Sequence, residues 1–225
     1  MELFNFPAFA GYLTNQFLLW GAGVTLAMTI ASATGGLLLA LVLAGMRMSN
    51  NVALSQIARF YLWVFRGTPL LIQLVIIYSG MPQLGLRLGV LESALIALIL
   101  NEAAYMSEIV RSGFMGVAKG QREAADSLGL PSWLVVWKVT LPQAFRLMIP
   151  PLGNSINGLL KATSITSVIS MEELMRRSQM VMQEHFHVLE VFGVAAIYYL
   201  VMTTAWGFVQ ERLERHFGAS TAQAR

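Results

Sequence analysis

The chain has 225 residues and a formal net charge of +3; 56% of its residues are hydrophobic, 12% are charged, and mean hydropathy is +0.62. Soluble domains carry about 25% charged residues, so the composition excludes an ordinary soluble domain and points to an all-α, polytopic membrane protein. The absence of cysteine removes a disulfide framework, a thiolate zinc site and a cysteine nucleophile, and no basic run suggests nucleic-acid binding.

The N-terminus does not read as a secretory signal. Glu2 is the only charge before Arg47, and the apolar stretch is too long. About 20 apolar residues span a bilayer, so this stretch holds an interfacial lead-in and one full span, placed at 18–44. Phe4, Phe6, Phe9, Tyr12, Phe17 and Trp20 are of the interface-aromatic type. Ser32, Gly36, Ala40 and Ala44 recur every four residues, a spacing that lets another helix approach closely.

The second span is placed at 52–79. It starts as an amphipathic piece with Arg59 and Arg66, and Gly67 and Pro69 mark a break before the apolar run 70–78. Residues 80–85 form a turn-rich loop, and the third span covers 90–110.

The largest polar stretch between spans is 119–142. Residues 121–128 read as a short helix with acids in its first turns, suited to the positive end of a helix dipole. Gly129 supplies the C-terminal stop, and Pro131 opens a second short helix, 132–139. That helix is expected to end before Pro142. The result is a helix-turn-helix elbow, with Ala124 and Ala125 leaving room for another protein and Trp133, Leu134 and Trp137 giving it an apolar side.

The fourth span is placed at 145–165, loosened by Pro150, Pro151 and Gly153. Residues 171–186 are polar and helical in pattern, at the far surface. The fifth span covers 188–209 and stops at the charged run 211–215. Residues 219–225 are expected to fray. Five spans place Arg47, Arg59, Arg111, Lys119, Arg122, Lys138, Arg146, Arg212 and Arg215 on one side, against Arg87, Arg176 and Arg177 on the other. The richer side is cytoplasmic by the positive-inside rule. The N-terminus is then outside, and the elbow and C-terminus are in the cytoplasm.

The elbow resembles the "EAA" loop of ATP-binding-cassette (ABC) import permeases, through Glu123, Ala124, Ala125, Gly129, Leu141 and Pro142. A wider resemblance, over about 65–174, is to the polar amino-acid (histidine/glutamine/arginine/opine) branch of these permeases. It is carried by Phe65-Arg66-Gly67-Thr68-Pro69 through Leu74, by Ala104-Tyr105 through Glu108 to Arg111, by Leu141-Pro142 through Pro150-Pro151 to Asn154, and by Lys161-Ala162-Thr163-Ser164. The resemblance implies a single transmembrane permease domain of the type I importer fold in a bacterial inner membrane. It implies a second permease chain, identical or homologous, and an extracytoplasmic amino-acid-binding protein. It also implies two ATPase subunits docked on the elbow, at Gln121, Glu123, Ala124, Ala125, Asp126 and Gly129. ATP and Mg would belong to those ATPases, with no cofactor in this chain and no enzyme activity of its own. Arg66, Gly67, Thr68, Pro69, Glu108 and Pro142 are then structural signature positions.

Two departures bear on cargo. Many members of the branch have an acid where this chain has Ser155, and another where it has Ala162. An acid there would pair with a cationic side chain, so its absence counts against arginine, lysine or histidine.

The residues also indicate a polar pathway. Asn101, Glu102, Tyr105 and Glu108 share a face of the third span, and Asn154, Asn157, Gly158 and Lys161 share one on the fourth. Buried charge in a bilayer usually faces the bundle interior or a wet cavity. Glu102 or Glu108 suits an ammonium, and Lys161 or the amides suit a carboxylate. The candidate pathway set is Glu102, Tyr105, Asn154, Ser155 and Lys161. The competing readings are an ion pair between Glu108 and Arg111, and a Lys161 that snorkels to the outer interface. His185 and His187, with Glu184 beside them, could suggest a metal, but their spacing puts the two imidazoles on different helix faces with no third ligand nearby, so they read as a surface pair. No P-loop and no G-x-S-x-G elbow occurs. The alternative class is a stand-alone proton-coupled secondary transporter or channel with Glu102 or Glu108 as relay.

Overall fold

A computed structural model describes residues 4–218. All regular structure is helical, and no strand occurs among the described residues. Helix α1, Phe6–Tyr12, starts at Asn5, whose side chain accepts from the Ala8 N–H at 3.0 Å. Helix α2, Gln16–Met48, is capped in the same way by Asn15. At 33 residues it is about 50 Å long, more than a hydrocarbon core of about 30 Å requires.

Helix α3 is Val52–Gly67 and helix α4 is Leu70–Val75. The chain after α4 passes through a π turn, Ile76–Gly80, and a 3-10 turn, Met81–Leu84, and stops at Gly85 in the left-handed region (φ 85°). The two limbs of this second span, Val52–Gly67 and Leu70–Leu84, meet at 104°. The break falls at Thr68-Pro69, as the proline demands.

Helix α5, Val90–Met115, pairs with α2 to form the centre of the bundle. Ser32, Gly36, Ala40 and Ala44 are all buried. The approach is close: a Cβ on Gly36 would lie 3.2 Å from Glu102 Cβ. Small residues on both helices, including Ala97, Ala103 and Ala104 on α5, permit it.

Helices α6, Lys119–Ser127, and α7, Ser132–Leu134, form the elbow. The chain then widens into a π turn, Val135–Thr140, and runs directly into α8, Leu141–Ala162. The expected stop before Pro142 does not occur. Pro142 sits in the first turn of α8, just after the wide turn, where a missing N–H removes little. Pro150 and Pro151 also lie inside a continuous α8. A 3-10 stretch, Thr163–Ile169, leads to α9, Leu174–His185, and then α10, Val188–Gly218. The run 211–215 does not stop α10, which continues through it; Arg215 pairs with Glu211 one turn back.

Gln16–Met48, Val90–Met115 and Val188–Phe217 are each long and apolar enough to cross a membrane, and the bent α3–α4 pair makes a fourth. The amphipathic α8, with Arg146, Lys161 and three prolines, packs between α5 and α10. The expected fraying at 219–225 lies outside the described residues.

Glu173 closes the far end. Its side chain is completely buried and caps α9 by accepting from the N–H groups of Met175 (2.9 Å) and Arg176 (2.8 Å). It also accepts from the hydroxyls of Tyr199 on α10 (3.0 Å) and Thr25 on α2 (3.4 Å). One carboxylate thus ties three helices at a helix N-terminus, where negative charge is favoured. Nearby, Tyr12 and His187 Nδ1 are hydrogen-bonded at 3.0 Å, joining α1 to the start of α10. Burial, then the charges of Glu190 and Glu184, push the Tyr12 phenol above its ordinary range.

Candidate functional site

The site has two parts, a polar cavity inside the bundle and the elbow at one end of it. The cavity is organised by the break in the second span. The end of α3 leaves carbonyl oxygens without helical partners. Gln73 Nε2, one turn into α4, lies 2.9 Å from Phe65 O, 3.0 Å from Thr68 O and 2.9 Å from Thr68 Oγ1. Asn101 Nδ2 on α5 donates to Gln73 Oε1 (3.0 Å) and Phe65 O (3.3 Å). Gln73 was not among the expected site residues. The available signal was a lone amide within the apolar run 70–78.

This network sets Gly67 and Thr68 in place and presents Arg66. The Arg66 guanidinium lies 5.6 Å from the ring centre of Tyr105 on α5, within cation–π range. Tyr105 is partly exposed and fronts a cavity of about 400 Å³, lined by Arg66, Glu108, Asn154 and Ser155 among others. The structure therefore brings together residues of α3, α5 and α8, including three of the expected pathway residues, Tyr105, Asn154 and Ser155.

Glu108 and Arg111 form the ion pair. Arg111 Nε lies 3.1 Å from each carboxylate oxygen of Glu108, and a guanidinium nitrogen makes a further, closer contact. Glu108 thus reaches the cavity with its charge already matched. Glu102 occupies a different place from the one the helical face suggested. It is 7% exposed, packed against Gly36 of α2, and takes a hydrogen bond from the Ser155 hydroxyl. Ser155, rather than Glu102, meets the cavity. Asn154 Oδ1 accepts weakly from Gln210 on α10 at 3.4 Å. Lys161 is not brought to this cavity; it is exposed at the last turn of α8, two turns beyond Asn154. Asn157 Oδ1 is buried with no partner among the described residues.

In the elbow, helix α6 starts at Lys119, two residues earlier than expected, so no acid falls in its first turn. Its end is closed as a Schellman motif. Gly129 is left-handed (φ 72°), its N–H donates to Asp126 O at 2.9 Å, and the Leu130 N–H donates to Ala125 O at 3.2 Å. Gln121, Glu123, Ala124 and Asp126 are exposed. Ala125 is not: its side chain turns inward, where α6 rests on the π turn that follows α7. Its small size serves the closure of the elbow, and Ala124 alone of the two alanines offers an open approach. Leu128, Trp133 and Trp137 are 80%, 65% and 64% exposed, an apolar rim beside the acids. Arg122 donates to Phe114 O at 3.2 Å and anchors α6 to the end of α5.

A bundle of apolar helices around a polar cavity, with an ordered, protruding elbow, defines the membrane-spanning part of a transporter. The profile of the family described as "Binding-protein-dependent transport system inner membrane component" matches residues 36–218, and the chain belongs to that family. It is an integral inner-membrane subunit of an ABC-type importer. An arginine transport system permease protein of Bacillus subtilis is 39% identical over 200 residues, 88% of this chain and 91% of that one. A glutamine transport system permease protein of Escherichia coli is 35% identical over 200 residues, with 88% and 91% covered. A crystal structure of an amino acid ABC transporter with histidines superposes with a TM-score of 0.85 at 35% identity, covering 89% of this chain and 94% of that one. The MetNI methionine ABC transporter in an inward-facing conformation shares the fold, with a TM-score of 0.72 at 21% identity, covering 89% and 96%.

Proposed function

We propose that this chain is the permease of an ABC importer for a polar amino acid whose side chain carries no positive charge. The cavity carries the reading. Arg66 offers a guanidinium that no carboxylate pairs among the described residues, suited to an amino acid's carboxylate. Asn154 and Ser155 offer neutral hydrogen-bonding groups. Glu108 is matched by Arg111, and Glu102 lies behind Ser155, so the cavity offers no unpaired acid to a cationic side chain. Relatives named for arginine and for glutamine are about equally similar, so the amide-bearing cargo is chosen on these side chains.

With α8 counted as a fourth of five spans and the side richer in basic residues taken as cytoplasmic, the N-terminus is outside and the elbow and C-terminus are in the cytoplasm. Two ATPase subunits hold the elbows of two permease chains, and a binding protein outside delivers the cargo. ATP and Mg act on the ATPases. Nucleotide binding biases the permease because the closed ATPase pair fits one arrangement of elbows better than the other. The exposed residues Gln121, Glu123, Ala124 and Asp126, with Gly129 holding their helix end, form the dock.

The test is uptake into proteoliposomes carrying the complete importer, with labelled glutamine and arginine compared. Glutamine uptake that requires ATP and falls on Arg66→Gln supports the assignment. Arginine taken up in preference overturns the cargo reading, and uptake indifferent to ATP overturns the coupling.

A further inference from the structure

Five basic residues converge where α2, α3, α5 and α6 meet, beside the amino-acid cavity. A cavity of about 470 Å³ is lined by Arg47, Arg59, Arg111, Lys119 and Arg122 with no acid among its lining residues. A second, of about 500 Å³, shares Arg47 and Arg59 with it, adds Trp63, and meets the amino-acid cavity at Arg66, Tyr105 and Glu108; Glu108, its one acid, is held by Arg111. Arg111 and Arg122 have partners within the chain. The side chains of Arg47, Arg59 and Lys119 make no hydrogen bond or ion pair among the described residues. Arg47 lies in the last turn of α2, where a cation suits the helix dipole. Arg59 lies in the middle of α3 and has no such reason to be there.

The surroundings identify the ligand. Next to these cations the surface becomes apolar at once: Phe60 and Trp63 on α3 are 65% and 73% exposed, and Met115 is 67% exposed. A cation cluster beside exposed aromatics is the layering of a membrane interface, with phosphate level at the arginines and acyl chains along the rings. We propose that Arg47 and Arg59, supported by Lys119, bind the phosphate of an anionic phospholipid from the leaflet on the elbow's side. Trp63 and Phe60 contact its glycerol and acyl region. The lipid then bridges α2 and α3 to the elbow's first helix.

The experiment uses the whole importer reconstituted in nanodiscs of phosphatidylcholine, alone or mixed with phosphatidylglycerol. Lipid retained after detergent extraction is measured by mass spectrometry. Wild type is expected to retain phosphatidylglycerol and to melt at higher temperature with it. Arg47→Gln with Arg59→Gln is expected to retain about 30-fold less, from the loss of two interfacial cations. Arg47→Lys with Arg59→Lys, which keeps the charge, should retain most of it, and Arg87→Gln, the same charge change outside the cluster, should retain all of it. Equal retention by wild type and the double glutamine variant overturns the proposal. Inorganic phosphate that stabilises wild type as well as the lipid does assigns the site to a free anion and also overturns it. A double variant that keeps its lipid and loses the ATPase makes the cluster a protein dock instead.

Discussion

Asn101 on α5 donates through Nδ2 to Gln73 Oε1 on α4 at 3.0 Å, and Gln73 in turn serves the carbonyl oxygens that the broken second span leaves open. The break is therefore stabilised by a side chain from beyond it and by a neighbouring helix.

Gln73→Leu takes the described side-chain donor from Thr68 O and leaves Phe65 O with Asn101 alone. The expected loss is about 1–3 kcal/mol of stability, read as a lower melting temperature in detergent. Asn101→Leu alone costs less, because Gln73 keeps its own acceptors. The coupling between the two, from the double-mutant cycle, should fall near the intramembrane average of about 0.6 kcal/mol and below about 1.7. Additive effects would show that the amide pair is incidental.

Ser155→Ala removes the described hydrogen-bond donor to the buried Glu102. A loss of about 1–3 kcal/mol is expected. Glu102→Gln keeps an oxygen for Ser155 and removes the buried charge, so it should be milder. If Glu102→Gln proves more damaging to uptake than Ser155→Ala while both fold, the carboxylate charge itself is needed.

At Gly129 the backbone, rather than space, sets the limit: a Cβ there would touch nothing within 4 Å, but φ is 72°. Gly129→Val is expected to cost about 1–2 kcal/mol locally and to loosen the end of α6. Gly129→Asn, which tolerates this conformation, should keep uptake. Gly129→Asp should insert normally yet lose the ATPase in a mild-detergent pull-down. Retention of the ATPase by Gly129→Asp would remove the elbow as the dock.

Gly36→Leu forces a side chain into the α2–α5 contact, where even a Cβ would come within 3.2 Å of Glu102. Overpacking of this kind typically costs about 1–3 kcal/mol. Poor yield and a melting temperature lowered by roughly 2–4 °C per kcal/mol are expected, as for chains of this size. Gly45→Leu, where a Cβ meets nothing within 4 Å, should behave like wild type.

The parts of the fold legible in sequence were those written in local chemistry. The four-residue spacing from Ser32 to Ala44 did mark the buried face of α2, the Gly67–Pro69 break fell where proline requires it, and Gly129 took the left-handed cap. What was not legible depended on rotation about a helix axis or on a distant partner. The helical face that joined Glu102 to Tyr105 is too coarse to show that the first turns toward α2 and the second toward the cavity. Pro142 was read by the general rule for residues before proline, and the wide turn preceding it could not be seen in the residues. Glu173 looked like part of a surface helix because its partners, Thr25 and Tyr199, are 148 and 26 residues away.

The absence of a stop at Pro142 has a mechanical consequence. From Leu141 to Ser155 the chain is one unbroken helix, about 20 Å of axial length. Its near end carries the elbow, closed at Gly129 and seated through Ala125, and its far end carries the hydroxyl that holds Glu102. A partner that grips the elbow grips a crank: a small turn at that end is carried along α8, past Pro150 and Pro151, to the wall of the polar cavity.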